Sequence, residues 1–370
     1  MRIVFIITNL HDANMTGQQK IALGLAEKLA ESEHDVLIVG NSEKGSINPL
    51  IRSNDRIQYH IIDGKASIWS KTTLSFLSPR MLQTIRKFKP DIIHGHGSLT
   101  TWFSSWFKIA LKKPAIQTLY DTDLLFGSTR TITQLPLRLV NHVVSTSNYL
   151  ATKLPTTAAC TVQPYGIEDI WFETEQTPRQ KDLTEILFWG DAAPGRGIEV
   201  LFDAIPQICN GNPNVKISLA LRYTYPDYNY QLDYICSHYP VSVLSTIPGT
   251  HISSLLETTD LVVLPYTRTT IQPPLTLLES MAAGKPVITT CVDANTEIVG
   301  ENGAAMLVEP NNPIQLIKAV NALILDSTLR MNMGEMARTR AGEIAHWRVA
   351  IPSILDVYQR HLSKNVTLQQ

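Results

Sequence analysis

One segment near residue 280 constrains the fold of this chain more than any other. Four apolar residues (261–264) predict a buried strand that ends at Pro265, and a helix is predicted over residues 275–283. A Gly-Lys-Pro turn follows, and residues 287–290 predict a second buried strand. Such a unit is typical of a parallel sheet, in which ligands bind at the carboxyl ends of the strands and a helix N-terminus suits an anion. The segment therefore predicts an anion site in an α/β domain.

Strands and helices alternate along most of the chain. A polar stretch over residues 171–182 interrupts the alternation and is predicted to be an interdomain linker. Helices of this length between strands imply right-handed crossovers in parallel sheets. We therefore predict an α/β fold with two Rossmann-like domains and a ligand cleft between them. The predicted strands are residues 3–7, 35–39, 56–62, 91–94, 115–119 and 143–145 before the linker, and 186–189, 215–220, 261–264 and 287–290 after it.

Composition indicates a packed protein. Of 370 residues, 44% are hydrophobic and 18% are charged, which argues against disorder. The net charge of −1 creates no field that would attract nucleic acid. The chain has no apolar run long enough for a transmembrane helix, and its N-terminal apolar run is too short for a signal peptide, so a cytoplasmic protein is predicted. The four cysteines have no metal-binding spacing and are predicted to be buried free thiols.

A second glycine-bearing loop follows the predicted strand 186–189. Gly190 comes first, and Gly195-Arg196-Gly197 leads into the next helix. Glycines let a backbone approach a phosphate, and the Arg196 guanidinium could hold pyrophosphate oxygens bidentately. The alternative is an ordinary strand-to-helix loop with an arginine in solvent. The loop is not a dinucleotide fingerprint, because no G-x-G-x-x-G opens either half.

Taken together, these motifs resemble those of the retaining GT-B glycosyltransferases of family four. Gly190 and Arg196-Gly197 are similar to the family's "Gly-Arg-Leu … Lys-Gly" loop, and residues 279–288 are similar to "Glu-Ala-Met-Ala-x-Gly-x-Pro-Val-Ile". The resemblance covers almost the whole chain. Further matches are Gly17, residues 91–96, Ser147, residues 164–168, residues 296–299, residues 303–310, Trp347 and Tyr358.

The resemblance implies the GT-B fold, with two Rossmann-like domains whose parallel sheets face a central cleft. Residues 1–172 would form an acceptor-binding domain and residues 173–345 a donor-binding domain. Residues 346–370 would form a helix that crosses back to the first domain.

The same resemblance implies a set of donor-binding residues. Glu279 would hold the ribose hydroxyls of a nucleotide, although a carboxylate near a helix start is also favoured by the helix dipole alone. The N–H groups of Leu275 and Thr276 would hold the distal phosphate, and Arg196 would neutralise the departing diphosphate. The remaining donor-binding residues would be Gly17, Gly190, Gly197 and Gln272.

Three residues of the first half are further site candidates. His96 follows the strand 91–94 and is predicted to be catalytic, facing the cleft, whereas His94 is predicted to pack inside. Asp121 and Asp123 form a DxD triplet, which binds a divalent metal in GT-A glycosyltransferases. Other GT-A features are missing, so the pair is assigned to the acceptor side, and neither a metal site nor a cofactor is predicted.

Two positions depart from the family pattern. Asp191 stands where the family has an arginine that pairs with the diphosphate, and Ile271 stands where it has a glutamate that bonds the donor sugar. An aspartate close to two phosphates would repel them unless it turns away. The departures leave two interpretations open: an altered donor sugar, or a chain that has lost turnover.

The resemblance implies a retaining glycosyltransferase that moves a sugar from a nucleotide-diphosphate sugar to an acceptor hydroxyl in glycan or glycoconjugate biosynthesis. The alternatives are a catalytically inactive GT-B partner subunit and a nucleotide-sugar epimerase. The expected partners are the donor and a glycan, lipid-linked or small-molecule acceptor.

Clusters of tryptophan and lysine in the first domain suggest one further partner. Trp102, Trp106, Lys108, Lys112 and Lys113 are typical of a peripheral contact with the inner face of a membrane. The interpretation favoured for the two tryptophans is that they pack on the sheet.

Overall fold

The computed structural model describes residues 1–10, 16–42, 54–67, 70–121, 130–155, 159–163, 165–175, 183–245, 249–269 and 273–367. The chain divides into two compact units. The first contains Met1–Gly166 and Trp347–Gln370, and the second contains Ile167–Thr269 and Pro273–His346. Each unit has its own parallel sheet with helices on it, so the predicted α/β fold with two parallel-sheet domains is confirmed.

Seven parallel strands form the sheet in the described part of the first unit. Their order is β3-β2-β1-β4-β5-β6-β7, so the direction of winding reverses between β1 and β4. The strands are β1 (Arg2–Ile7), β2 (Asp35–Ser42), β3 (Ile57–Asp63), β4 (Ile92–His96), β5 (Ala115–Leu119), β6 (His142–Ser145) and β7 (Cys160–Val162).

Helices cover both faces of this sheet. Alternate residues of β1 point to opposite faces: Ile3 and Phe5 pack with one group of helices, and Val4 and Ile6 with the other. The first group is α1 (Gly17–Glu31) and α14 (Trp347–Thr367); the second is α2 (Lys71–Phe76), α3 (Pro79–Phe88), α4 (Thr100–Leu111), α5 (Arg130–Leu137) and α6 (Asn148–Ala151).

Six parallel strands form the sheet in the described part of the second unit, in the order β10-β9-β8-β11-β12-β13. Its winding reverses between β8 and β11. The strands are β8 (Thr184–Ala192), β9 (Val215–Thr224), β10 (Val241–Ser245), β11 (Leu261–Leu264), β12 (Val287–Thr290) and β13 (Met306–Val308). The helices are α7 (Ile198–Gly211), α8 (Asn229–His238), α9 (Gly249–Thr258), α10 (Leu275–Ala282), α11 (Asn295–Val299), α12 (Pro313–Leu325) and α13 (Ser327–Ile344).

Local signals explain where several helices begin and end. The hydroxyl of Ser78 accepts the N–H of Met81 at 3.2 Å, and Pro79 takes the first helical position of α3, where its missing N–H costs nothing. Asn312 and Pro313 start α12 in the same way. Gly284, with φ of +69°, follows the end of α10 and turns the chain into β12.

Two sequence predictions about burial are wrong. Cys160 and Cys291 are exposed, whereas buried thiols are predicted at all four cysteines. Trp102 and Trp106 do not pack on the sheet, because Phe103 and Phe107 take that side of α4 and are fully buried. The tryptophans of α4 therefore lie on its outer side.

The predicted linker over residues 171–182 falls partly outside the described residues. Its first residue, Trp171, ends a short 3-10 turn (Asp169–Trp171) and is buried in the second unit. Its ring centroid lies 5.9 Å from that of Trp189 on β8. Among the described helices, none combines the length and apolar character needed to cross a membrane.

Candidate active site

The carboxyl edge of the second sheet brings together six of the predicted donor-binding or catalytic residues, namely Gly190, Arg196, Gly197, Leu275, Thr276 and Glu279, whereas Gly17 belongs to the first unit. β8 and β11 are neighbours at the point where winding reverses, which is where ligands bind in open α/β sheets. The loop after β8 carries Arg196, and the loop after β11 leads into α10 with Glu279. Sequence segments about 80 residues apart thus meet at one edge of one sheet.

Glycine residues allow the loop after β8 to approach the end of β11. Gly195 and Gly197 have φ of +89° and +76°, which other residues rarely adopt. A Cβ at Gly197 would lie only 1.7 Å from the carbonyl oxygen of Pro265. The N–H groups of Thr267 and Arg268 donate to the Gly195 carbonyl at 3.0 and 3.2 Å. The loop that carries Arg196 is therefore held against the loop after β11.

Arg196 lies near a buried tyrosine of that second loop. Its guanidinium carbon is 6.0 Å from the ring centroid of Tyr266, whose hydroxyl shares a hydrogen bond with the Thr276 hydroxyl on α10. Burial raises the pKa of Tyr266, while Arg196 and the Thr276 hydrogen bond act in the opposite direction. Glu279 raises the same pKa, so Arg196, Glu279 and Thr276 all lie within interaction range of one ring.

The N-terminus of α10 offers an anion site at the same edge. Its first N–H groups, on Leu275 and Thr276, have no partners within the helix, and the preceding Pro274 gives no side-chain acceptor. Gly190, with φ of +134°, lies beside this end: a Cβ there would be 3.9 Å from the Thr276 methyl group. Glu279 is half-buried one turn further along the helix.

Asp191 pairs with an arginine that the sequence analysis missed, and it also raises the pKa of Tyr266, so its charge lies within range of the same ring. Nε and Nη2 of Arg222 on β9 donate to the two oxygens of Asp191 at 2.9 and 2.7 Å. The register between β8 and β9 shifts after Gly190, so that Arg222 has no counterpart on β8. Hydrogen bonding to Asp191 raises the pKa of Arg222. The charge that the sequence predicts to repel phosphates is thus matched by a cation.

Other residues that position this edge also escaped the sequence analysis. Asp293 accepts from the N–H and hydroxyl of Thr269 at 2.7 and 2.9 Å, which fixes the loop after β11. The indole N–H of Trp189 donates to Ser280 at 2.9 Å and ties α10 to β8. These partners are remote in sequence, and no local motif marks them.

The carboxyl edge of the first sheet brings Gly17 and His96 together in the same manner. Gly17 is the first residue of α1, which follows β1, and His96 ends β4, which is the neighbour of β1. The Gln18 amide donates to the His96 carbonyl at 3.0 Å, and Gln19 donates to the Thr8 carbonyl at 3.0 Å. The start of α1 is therefore tied to both strand ends.

His96 is fully buried, as is His94, so the predicted difference in exposure between them is not found. Nδ1 of His96 hydrogen-bonds the Tyr120 hydroxyl at 2.8 Å, and its Nε2 is buried with no partner among the described residues. His94 bonds the hydroxyls of Tyr358 and Thr118 at 2.6 and 2.7 Å. Burial lowers the pKa of His96 far below its usual value, so the imidazole is neutral.

The remaining candidates are placed only in part. Asp121 is half-buried and accepts from the Ser98 hydroxyl at 3.3 Å. Asp123, Ile271 and Gln272 lie outside the described residues. Among the residues that the structure does describe, no group of three or more His, Cys, Asp or Glu side chains could hold a metal ion.

Two family models account for most of the sequence. Residues 15–167 match "Glycosyltransferase Family 4", and residues 169–340 match "Glycosyl transferases group 1". The chain belongs to the group 1 glycosyltransferases of family 4. This glycosyltransferase is 23% identical to an uncharacterized glycosyltransferase of Methanocaldococcus jannaschii, over 91% of this chain and 92% of that protein.

Solved structures share the GT-B fold with this glycosyltransferase. A glycosyltransferase from Rickettsia africae superposes with a TM-score of 0.78 at 17% identity, covering 98% of both chains. HepE of Anabaena, solved in complex with UDP and glucose, superposes with a TM-score of 0.76 at 16% identity, covering 96% of this chain and 99% of that one. The predicted GT-B fold and family are therefore confirmed.

Proposed function

We propose that this glycosyltransferase moves a sugar from a nucleotide-diphosphate sugar to an acceptor hydroxyl with retention of configuration, in cytoplasmic glycan or glycoconjugate biosynthesis. One observation carries the proposal. Arg196 and the N-terminus of α10 lie at the carboxyl edge of the second sheet, after the neighbouring strands β8 and β11, and both lie near Tyr266. A guanidinium and free helix N–H groups form a site for a diphosphate.

The chemistry follows from the charge that develops on the donor. The bond between the anomeric carbon and the phosphate oxygen breaks, and its electron pair goes to the departing diphosphate. The acceptor oxygen forms a bond to the same carbon from the same face, and its proton passes to the departing phosphate oxygen. Arg196 and the N–H groups of Leu275 and Thr276 stabilise the growing negative charge, which is electrostatic catalysis at the leaving group.

Arg222 adds a second cation to the proposal. Its side chain is half-exposed, and the two bonds to Asp191 fix the direction of its guanidinium close to the loop that carries Gly190. We assign to Arg222 the role that the resemblance gives to an arginine at position 191. Side chains and the helix N-terminus then supply the positive charge around the diphosphate, and the reaction would need no metal.

His96 keeps the catalytic role predicted for it, with a restriction set by its burial. A neutral imidazole with Nδ1 engaged by Tyr120 has only Nε2 left for another group. Because Nε2 is buried, a hydrogen bond from it to a sugar hydroxyl would require a local movement, and the neutral imidazole would not serve as a permanent cation. The bound UDP and glucose of HepE support a donor of this class, without specifying the base or the sugar.

Donor hydrolysis and binding test the proposal directly. The protein is incubated with a panel of nucleotide-diphosphate sugars, and nucleotide diphosphate release and the thermal midpoint are measured with and without EDTA. We expect one donor to raise the midpoint of thermal unfolding and to release its nucleotide diphosphate. EDTA should change neither result. The Arg196→Ala variant should no longer release nucleotide diphosphate. The Arg360→Ala variant, which changes an exposed arginine of α14, should still release it.

The same measurements separate the alternatives. A thermal shift without release with any acceptor would favour an inactive binding subunit. Conversion of the donor to an epimeric nucleotide sugar would favour an epimerase. Inversion at the anomeric carbon, read by proton NMR of the product, would overturn retention.

A further inference from the structure

Helix α4 has two apolar sides, and only one of them is used by the core. Phe103 and Phe107 are fully buried against the sheet. On an adjacent side, Trp102, Trp106 and Ile109 are 38%, 41% and 62% exposed. These three residues are spaced by four and three positions and so share one helix face. Packing within the first unit therefore covers only part of this face.

The neighbouring helix extends this surface. The Ser105 hydroxyl donates to the Pro136 carbonyl at 2.9 Å, and the Lys108 ammonium donates to the Leu139 carbonyl at 2.6 Å, so α4 lies against α5 and the turn after it. Leu135 and Leu139 are 54% and 41% exposed. We call Trp102, Trp106, Ile109, Leu135 and Leu139 the α4–α5 apolar face. Single exposed apolar residues are ordinary, but a group of five large ones marks an interaction site.

The segment that contains α3 and α4 has an unusual charge. Residues 71–113 contain eight lysines and arginines and one acidic residue, Asp91, although the whole chain has a net charge of −1. The carboxylate of Asp91 accepts the N–H of Arg2 at 2.8 Å, at the start of β4. The apolar face therefore belongs to a strongly basic part of the first unit.

Several of these cations lie at the C-terminal end of α4. Arg86 on α3 donates to the Ala110 carbonyl at 3.2 Å, which brings its guanidinium to this end. Lys112 is exposed directly after the helix, and Lys113 is half-exposed. Ile109 and Trp106 thus lie next to a group of cations. Helix C-termini favour cations, which explains part of the group but not its apolar neighbours.

We propose that the α4–α5 apolar face docks on an anionic lipid bilayer. Tryptophan and leucine side chains enter the headgroup region, and lysine and arginine beside them attract anionic lipid. Nucleic acid would need the cations but would not favour exposed isoleucine and leucine. This inference is independent of the proposed donor chemistry, because it uses only residues of the first unit.

Vesicle flotation tests the proposal. Full-length protein is floated with vesicles of phosphatidylcholine, with or without phosphatidylglycerol, at low and high salt. We expect co-flotation with anionic vesicles at low salt, weaker binding at high salt, and little binding to phosphatidylcholine alone. The double variant Trp102→Ser/Trp106→Ser should bind roughly tenfold more weakly, because it loses apolar contact with the bilayer. A blue shift of tryptophan fluorescence on binding should disappear in the same variant.

A matched variant controls for general effects of removing exposed aromatics. Tyr230→Ser/Tyr234→Ser removes two exposed rings from α8 of the second unit and should leave flotation unchanged. Thermal melting checks that both double variants fold, as the partial exposure of all four residues leads us to expect. Donor-dependent release without membranes should be unaffected by Trp102→Ser/Trp106→Ser, which separates this inference from the proposed function.

Other outcomes would overturn the proposal. Absence of co-flotation at low salt would do so directly. Salt-sensitive flotation that is unchanged in the tryptophan variant would assign binding to charge alone. Equal affinity for a duplex oligonucleotide would favour nucleic acid, and a concentration-dependent dimer abolished by Trp102→Ser/Trp106→Ser would favour a second copy of the chain.

Discussion

Asp191 on β8 and Arg222 on β9 join two neighbouring strands through hydrogen bonds of 2.9 and 2.7 Å. If Arg222 replaces the missing loop arginine, Arg222→Ala should raise the donor KM and lower kcat/KM roughly tenfold to hundredfold, the value of one or two charge-assisted hydrogen bonds. Asp191→Asn should have a smaller effect. Steady-state kinetics measure both.

A matched control is available for this pair. Arg360 and Asp356 form an ion pair at 2.9 Å on α14, and the Arg360 side chain is as exposed as that of Arg222. Because exposed pairs contribute about 1 kcal/mol or less, Arg360→Ala should melt close to wild type, whereas Arg222→Ala removes the partner of the mostly buried Asp191 carboxylate and should melt lower. Unchanged kcat/KM in Arg222→Ala would assign the pair to sheet structure alone.

Arg196→Ala should reduce kcat by roughly 10² to 10³, the usual cost of removing one donor to a developing oxyanion. Arg196→Lys should recover part of this loss, because an ammonium keeps the charge but not the bidentate geometry. Single-turnover release of nucleotide diphosphate measures the effect. Full activity of Arg196→Ala would mean that its guanidinium does not contact the leaving group.

Glu279→Gln should weaken donor binding by about tenfold and should remove discrimination against a deoxyribose. A carboxylate accepts from both ribose hydroxyls, whereas an amide accepts with one oxygen only. The comparison uses the ribo- and 2′- or 3′-deoxy forms of one nucleotide, with Kd from calorimetry. If wild type binds both forms equally, Glu279 does not hold the ribose.

Gly197→Ala should destabilise the protein by roughly 3 kcal/mol or more, because the new Cβ would lie 1.7 Å from the Pro265 carbonyl oxygen at a φ of +76°. Gly211→Ala is the control, since nothing lies within 4 Å of its Cβ position near the end of α7. The control should be neutral or stabilising by about 0.4–1 kcal/mol. Urea denaturation measures the free energy of unfolding of both variants. Equal values for Gly197→Ala and Gly211→Ala would contradict the close approach of Gly197 to the Pro265 carbonyl.

Two buried histidines should make the free energy of unfolding depend on pH. Burial lowers the pKa of His94 to about 3 and that of His96 well below 6.5. A lowered histidine pKa means that the unfolded chain binds protons first, so stability is full above pH 6.5 and falls as the pH decreases toward the folded values. Between pH 7.5 and 5 each histidine should remove about 2 kcal/mol.

Urea denaturation at three pH values tests this dependence. His94→Gln/His96→Gln should be less stable than wild type at pH 7.5 and should lose less stability on acidification. His238, exposed on α8, provides the control variant His238→Gln, which should keep the wild-type pH dependence. A double variant with the wild-type pH slope would contradict the role of the two imidazoles.

The strands and helix that carry the donor site were predictable because their signals are local. Residues 261–264 and 287–290 are short apolar runs, and β11 and β12 have these bounds. The helix predicted over residues 275–283 is α10, which the structure ends at Ala282. Shorter elements such as β7 and β13, of three residues each, contain too little pattern to stand out.

The sequence by itself determined the alternation of strands and helices, the glycines at two loops, and the residues that follow β8 and β11. Dihedral preferences, caps and apolar runs act between near neighbours, so one chain shows them. Only the tertiary structure decided that Asp191 meets Arg222, because a register shift between two strands brings them together. It also decided which apolar side of α4 is buried, since both sides of that helix are apolar and the sheet takes only one.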